Sequence, residues 1–265
     1  MKTLWIALLT ASLTVPVSGV GIVHAEEEAA PANADGAVPT VEEILAGIDK
    51  NMIFESRTST LRMTVEGKRR TRTFEMISFG RGESDTAMEY LMPSREKGTK
   101  MLKIGDDMWM YMPSVERTQK ISGHMLREGM MGSDLSYEDM MQSNELEKMY
   151  VGELQGSEVV DDRDCWKLEM NATDETVSYP KRISWIDKEL LIPLKSEMYA
   201  LSGMLLKTWT MSDIREFEGG RQFPARMTIK DELKANSVTT IEFTSLEFGV
   251  ELEGEVFSKR WLERK

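Results

Sequence analysis

From Ser56 onward, apolar and polar residues alternate in short runs separated by turn-forming residues such as glycine, proline and aspartate. Such alternation is typical of β-strands that bury one face. The runs include TRTFEMISFG, TKMLKIG and DMWMYMP before residue 122, and RDCWKLEMNA, RISWID and SVTTIEFTSLEFG after residue 148. About twelve strands without a βαβ rhythm predict a mainly β protein with a single, strongly curved antiparallel sheet.

One amphipathic helix is predicted ahead of the strands. Thr40 and Glu43 have the spacing of a capping box, in which each side chain binds the backbone N–H of the other residue. Apolar residues then recur at helical intervals, at Val41, Ile44, Leu45 and Ile48. The pattern predicts a helix over residues 41–53 that lies with its apolar side on the sheet.

The first 25 residues resemble a cleavable export signal. Lys2 precedes a long apolar run that ends in Val23-His24-Ala25, and residues 26–39 are acidic and rich in alanine and proline. We therefore expect a signal peptide at 1–25, a flexible leader at 26–39 and one domain at 40–265. No other apolar run approaches the roughly 20 residues that span a bilayer, so we expect a periplasmic protein without an integral membrane segment.

The sequence offers little catalytic chemistry. It contains no GxSxG, HExxH or Walker motif, and His124 is its only histidine after residue 25. Cys165, the only cysteine, excludes an intramolecular disulfide and lies in an alternating run that predicts a core thiol. A net charge of −12 argues against a nucleic-acid partner. We predict neither an enzyme nor a bound cofactor.

Methionine is abundant, with 21 residues in the chain. In the run DMWMYM, Met108, Met110 and Met112 share one face of the predicted strand. Trp109 and Tyr111 share the opposite face. Both faces are therefore apolar and must be covered, either by other parts of the chain or by a ligand.

The segment HMLREGMMGSDLSYEDMMQ, residues 124–142, has two competing interpretations. Methionine side chains are flexible and apolar, so the segment can adapt to an apolar ligand. Thioethers and imidazole also bind Cu(I), and the candidate ligands are His124, Met125, Met130, Met131, Met140 and Met141. A scaffold protein that binds neither lipid nor copper is a third possibility.

The run GSDLSYED, residues 132–139, carries a family resemblance together with TKMLKIGDDMWMYMPSVERTQKIS before it and SWIDKELLIPLKSEMY after it. Over about residues 41–260 the chain resembles the outer membrane lipoprotein-sorting proteins, which are similar to the periplasmic lipoprotein carrier LolA and its receptor LolB. The resemblance implies an unclosed half-barrel whose concave face is covered by a few short helices. It also implies a carrier of lipid or lipoprotein acyl chains that serves an inner-membrane exporter and an outer-membrane acceptor.

The resemblance also suggests where the cargo binds. The methionine segment would line or cover an apolar cavity in the sheet. The expected cavity and lid residues are Met88, Met101, Met108, Met110, Met112, Met125, Met130, Met131, Met140, Met141 and Trp185.

A second group of residues is expected to shape the lid. Gly129 and Gly132 would let the chain turn, and Ser133 or Ser136 would cap a short helix that begins near Tyr137. Asp134 and Asp139 would then fix the lid by hydrogen bonds to backbone groups or to an arginine. The candidate arginines are Arg62, Arg72 and Arg117.

Overall fold

A computed structural model describes residues 38–141, 146–217 and 220–264. Contacts divide the chain into Met1–Val38 and Pro39–Lys265, and the architecture below is that of the second unit. The expected signal peptide and nearly all of the expected leader lie outside the described residues.

The described residues form thirteen strands in one antiparallel sheet. Six strands precede the methionine segment: β1 Phe54–Glu66, β2 Thr71–Gly82, β3 Asp85–Met92, β4 Lys100–Ile104, β5 Asp107–Met112 and β6 Arg117–Ile121. Seven follow it: β7 Tyr150–Val160, β8 Arg163–Ala172, β9 Lys181–Asp187, β10 Pro193–Tyr199, β11 Leu205–Glu216, β12 Gln222–Asp231 and β13 Val238–Phe248.

Two meanders make up this sheet, and they join where β1 pairs with β13. The strand order is β6-β5-β4-β3-β2-β1-β13-β12-β11-β10-β9-β8-β7, so β6 and β7 form the two free edges and the barrel is not closed. The predicted fold class is confirmed, with one strand more than the estimate.

The sheet curves strongly. Buried side chains from β1 to β6 meet side chains from β12 and β13 in a single cluster that includes Met63, Met110, Ile121 and Ile229. Lys103 on β4 and Met227 on β12 are five strand spacings apart, about 24 Å on a flat sheet, yet they line the same cavity, so the sheet bends around it. The face that bears this cluster is called the inner face below.

Two elements cover the inner face. Helix α1, Val41–Met52, begins with the predicted capping box, in which Thr40 and Glu43 bind each other's backbone N–H. Its residues Ile44, Leu45 and Ile48 pack on β7, β8 and β9. The methionine segment, which contains the short helix α2, Tyr137–Met141, covers the rest. Helix α3, Leu146–Met149, packs beside α1 through Leu146. The predicted helix is confirmed to within one residue.

Strand β5 has two apolar faces, as predicted from DMWMYM. Met108 and Met110 are buried in the inner cluster. Tyr111 is buried in a cluster on the outer face, where Trp109 packs beside it. The outer cluster is covered by the C-terminal segment, which contains a 3-10 helix at Gly254–Phe257 and helix α4, Lys259–Glu263.

The structure shows no helix, within its described parts, that is long and apolar enough to cross a membrane.

Candidate functional site

The lid, defined here as residues 123–141, connects the edge strand β6 to the second meander and packs on the inner face. It contains two 3-10 helices, Gly123–Arg127 and Met130–Gly132, followed by α2. Met130 is only 1% exposed, and Leu135 and Tyr137 are also buried in the inner cluster. The lid is therefore part of the protein core as well as a cover.

The lid backbone forms a tight loop between Gly129 and Ser136, which pair as an isolated β-bridge. The amide of Met130 donates to the carbonyl oxygen of Leu135 at 2.8 Å. Met131 and Gly132 both have positive φ, at 51° and 69°. Gly132 adopts this left-handed conformation at no steric cost, whereas at Met131 it is strained and must be held by the surrounding contacts.

Gly129 is required by a close approach rather than by its φ, which is −70°. A Cβ atom at this position would lie 2.1 Å from the carbonyl oxygen of Ser133.

We expect Gly129→Ala to lower the free energy of unfolding by about 1 to 3 kcal/mol, because the backbone must move to admit the methyl group. The matched control is Gly254→Ala, where an added Cβ meets no atom within 4 Å and where we expect a change within about 0.5 kcal/mol. Equal urea midpoints for the two variants would show that the loop yields easily.

Asp134 fixes the centre of the lid to β13. Its side chain, 0% exposed, accepts hydrogen bonds from the hydroxyls of Thr239 at 2.7 Å and Ser237 at 2.9 Å. Its backbone N–H donates to the Thr239 hydroxyl at 2.8 Å. The ammonium of Lys234 donates to the carbonyl of Ser133 at 2.9 Å. The partners of this carboxylate are these two hydroxyls and, at 4.0 Å, the ammonium of Lys234, rather than the backbone group or arginine that the sequence suggested.

Ser136 and Asp139 together begin helix α2. The Ser136 hydroxyl accepts from the backbone N–H of Asp139 at 3.2 Å, and the Asp139 carboxylate accepts from the backbone N–H of Ser136 at 2.7 Å. Of the two serines proposed as caps, Ser136 is therefore the one that caps α2; the hydroxyl of Ser133 bonds to the backbone of Leu135 instead.

Asp139 also ties α2 to the second meander. Its carboxylate, fully buried, pairs with the ammonium of Lys207 on β11 and accepts a hydrogen bond from the Tyr179 hydroxyl. Burial, together with the charge of Asp139, raises the pKa of Tyr179 far above its usual value, so this phenol stays protonated. The Asp139 carboxylate thus joins the lid to β11 and to the loop between β8 and β9, which contains Tyr179.

Arg72, at the start of β2, holds the opposite side of the lid. Its guanidinium donates to the carbonyl oxygens of Met131 at 2.6 Å and Gly132 at 3.0 Å. Of the three candidate arginines it alone contacts the lid backbone in the described structure; Arg62 pairs with Glu75 on the exposed surface. The strained backbone at Met131 is therefore held by charge-assisted hydrogen bonds.

Between the lid and the strands where the two meanders join lies a cavity of about 230 Å³. Its apolar part is lined by Leu61, Met76, Met88, Met130, Leu135, Met140, Met227, Ile241 and Phe243. Its other end is polar and reaches the turn between β2 and β3. The volume falls below the roughly 300 to 1,000 Å³ of most small-molecule sites, so the cavity must widen before it admits a long chain.

The expected cavity residues fall into three groups. Met88, Met130 and Met140 line the cavity. The others in the inner cluster are either buried beside it or packed at its border: Met101, Met108, Met110, Met112, Met125, Met131 and Met141. Trp185 lies apart from them, in a cluster with Cys165 and Leu194, and its indole N–H donates to Glu158 at 2.6 Å.

The sequence interpretation missed several lining residues, among them Leu61, Met76 and Met227. Alternation along β1, β2 and β12 assigns each to a buried face. Only the pairing of β1 with both β2 and β13 shows that these faces surround one cavity.

Other candidate chemistry receives little support. His124 is exposed, whereas Met130 lies buried in the inner cluster, so the proposed copper ligands do not share one surface. Burial raises the pKa of the Cys165 thiol to about 11, which keeps it protonated at neutral pH. No group of three or more His, Cys, Asp or Glu side chains suited to a metal ion occurs within the described ranges.

Comparison with known proteins agrees with this architecture. Residues 82–264 match a family model that is described as one of uncharacterized proteins. No curated protein matches the chain in sequence.

Solved structures share the fold. A DUF1329 family protein from Desulfovibrio piger is 23% identical, with a TM-score of 0.76 over 83% of this chain and 97% of its own. A domain described as an outer membrane lipoprotein-sorting protein, from Vibrio parahaemolyticus, is 27% identical, with a TM-score of 0.73 over 84% and 98%. A LolA superfamily protein from Nitrosomonas europaea is 23% identical, with a TM-score of 0.69 over 84% and 100%. The resemblance to the lipoprotein-sorting fold is confirmed.

Proposed function

The chain belongs to the protein family whose model matches residues 82–264, and from this membership and the shared fold we propose that it is a periplasmic carrier of acyl chains. The cargo is a lipoprotein or another lipid, taken up in the cavity under the lid. In the same proposal, residues 1–25 are a signal peptide, residues 26–39 a leader, and residues 40–265 the carrier domain.

The observation that carries this proposal is the apolar inner face and its lid. The cavity is bounded by flexible methionines, including Met88, Met130 and Met140, which can adapt to acyl chains of different length. Each methylene removed from water contributes about 0.8 kcal/mol, so a chain of some 16 carbons gains on the order of 10 kcal/mol. Binding therefore requires no catalytic residue.

Loading and release both require the lid to move, because a cavity of about 230 Å³ is small for such a chain. A partner can drive this movement only if it binds the open and closed states with different affinity. We place such partners at the two membranes: an inner-membrane exporter that loads the carrier and an outer-membrane acceptor that receives the lipid.

Extraction of the natively purified protein, followed by mass spectrometry, tests the carrier function. We expect co-purified lipid and saturable binding of a fluorescent fatty acid. Met140→Asn, in the cavity wall, should weaken that binding at least tenfold, since a polar amide then faces the acyl chain. Met204→Asn is the matched control, because Met204 is 51% exposed. Absence of both lipid and fatty-acid binding would favour a scaffold role.

A further inference from the structure

The inner face changes from charged to apolar along the strands of the first meander. Strand pairing places Arg57, Gly80, Thr86 and Lys103 in one row across β1, β2, β3 and β4. Two residues further along each strand, the next row is Ser59, Ser78, Met88 and Met101. The third row contains Leu61, Met76 and Tyr90. Residues in these rows share one face of the sheet, so the cavity has a cationic end, a hydroxyl-lined middle and an apolar end.

The Arg57 side chain occupies the space that a side chain at Gly80 would fill. A Cβ atom at Gly80 would lie 2.6 Å from the Nε atom of Arg57. Glycine at this position therefore lets the guanidinium lie across β2 at the cavity wall. Arg57 has no hydrogen bond or ion pair with any described residue, and burial lowers its pKa.

Lys103 is the second cation of the row and is only 4% exposed. Its ammonium forms no hydrogen bond or ion pair within the described structure. Burial lowers its pKa, while the more distant carboxylates of Asp106 and Asp85 act in the opposite direction. Asp85 is itself engaged, since it accepts from Arg81 at 2.8 Å and from the backbone N–H of Gly105.

Two cations without partners in a cavity wall are costly, because desolvation favours neutral groups. Three carboxylates also lie in the cavity wall, and each is already paired or exposed. Asp139 pairs with Lys207, Asp85 pairs with Arg81, and Glu83 is exposed at the rim. Arg57 and Lys103 are therefore the cations of this wall whose charge no described carboxylate pairs with, which indicates a site for an anion in a chain of net charge −12.

We propose that Arg57 and Lys103 bind the anionic headgroup, a carboxylate or phosphate, of a lipid whose acyl chain lies in the apolar end of the same cavity. This inference rests on the proposed carrier function and deepens it. The backbones of the two residues are three strand spacings apart, about 14 Å measured across the strands. Their long side chains project from a concave face and so converge on a headgroup held between them, over Thr86 and near Ser59 and Ser78.

Matched lipids test the headgroup preference on the wild-type protein. We expect palmitate to bind roughly 10- to 100-fold more tightly than monopalmitin, which has the same acyl chain and no charge. Lysophosphatidic acid should share this advantage. Equal affinities for palmitate and monopalmitin would overturn the inference and leave the carrier function standing, whereas binding of neither would defeat both. Binding of inorganic phosphate as tight as that of palmitate would overturn the lipid headgroup in favour of a free anion.

Substitutions at Arg57 and Lys103 test whether these two residues cause the preference for palmitate over monopalmitin. Arg57→Gln and Lys103→Gln should each reduce the advantage of palmitate over monopalmitin at least fivefold, while the affinity for monopalmitin stays within a factor of two. Arg62→Gln is the matched control, because Arg62 lies on the same strand but is exposed and paired with Glu75. An unchanged preference in both cavity variants would overturn the assignment.

Thermal stability separates a binding role from a structural one. Lys103→Met removes a buried charge without a partner and keeps most of the side-chain volume, so we expect the melting temperature of the lipid-free protein to rise. A lower melting temperature together with an unchanged preference for palmitate would show that Lys103 supports the fold, and would overturn its role at the headgroup.

Discussion

Replacing Asp139 by alanine should lower the free energy of unfolding by about 3 to 5 kcal/mol, a large effect for one side chain on a short helix. The carboxylate is fully buried and is the ion-pair partner of Lys207, whose side chain is 10% exposed. Without it, the ammonium of Lys207 remains in a dry environment with no opposite charge, and the hydroxyls of Tyr179 and Ser136 lose an acceptor. Urea denaturation of the lipid-free protein measures the loss.

Two further variants isolate the cause. Asp107→Ala removes a carboxylate that pairs with Lys120 on the exposed surface, and it should cost no more than about 1 kcal/mol. The double variant Asp139→Leu with Lys207→Met removes both charges and should recover most of the lost stability. If Asp139→Ala is as mild as Asp107→Ala, the buried pair does not hold the lid on the sheet.

The sequence was most informative where a feature depends on neighbouring residues alone. Strand alternation in segments such as DMWMYM predicts which side chains share a face, and the structure agrees for β5. The capping box of α1 involves residues three positions apart, so Thr40 and Glu43 could be identified without tertiary contacts. Fold class follows from these local periodicities because a chain of short alternating runs has few ways to bury its apolar faces.

The candidate site depended on contacts that no local pattern contains. Lys207 lies 68 positions from Asp139, and Thr239 lies 105 positions from Asp134, so neither partner could be identified before the strands were paired. The row that joins Arg57 to Lys103 depends on the register of three successive hairpins. Trp185 shows the converse: the family resemblance suggested a cavity residue, but it lies in a different apolar cluster.

Met131 offers the sharpest distinction between cargo binding and folding. Its side chain is only half-buried and packs at the border of the inner cluster, and its backbone has φ of 51°. We expect Met131→Asp to change the free energy of unfolding by less than about 1 kcal/mol, since aspartate tolerates the left-handed conformation and its carboxylate can reach water. A long chain must widen the cavity towards its border at Met131, so the loaded state desolvates the charge against an acyl chain at a cost of several kcal/mol, and fatty-acid affinity should fall at least 100-fold.

Two comparisons complete this test. Met131→Leu keeps an apolar side chain and should retain fatty-acid affinity within about threefold. Leu102→Ala alters the outer cluster, where Leu102 is 1% exposed and does not line the cavity, so it should cost about 2 to 5 kcal/mol of stability and leave affinity nearly unchanged. Thermal melts and fluorescent fatty-acid titrations on the three variants separate the two effects. If Met131→Asp destabilises the protein as much as Leu102→Ala, then Met131 is a fixed core residue and the lid does not open at this position.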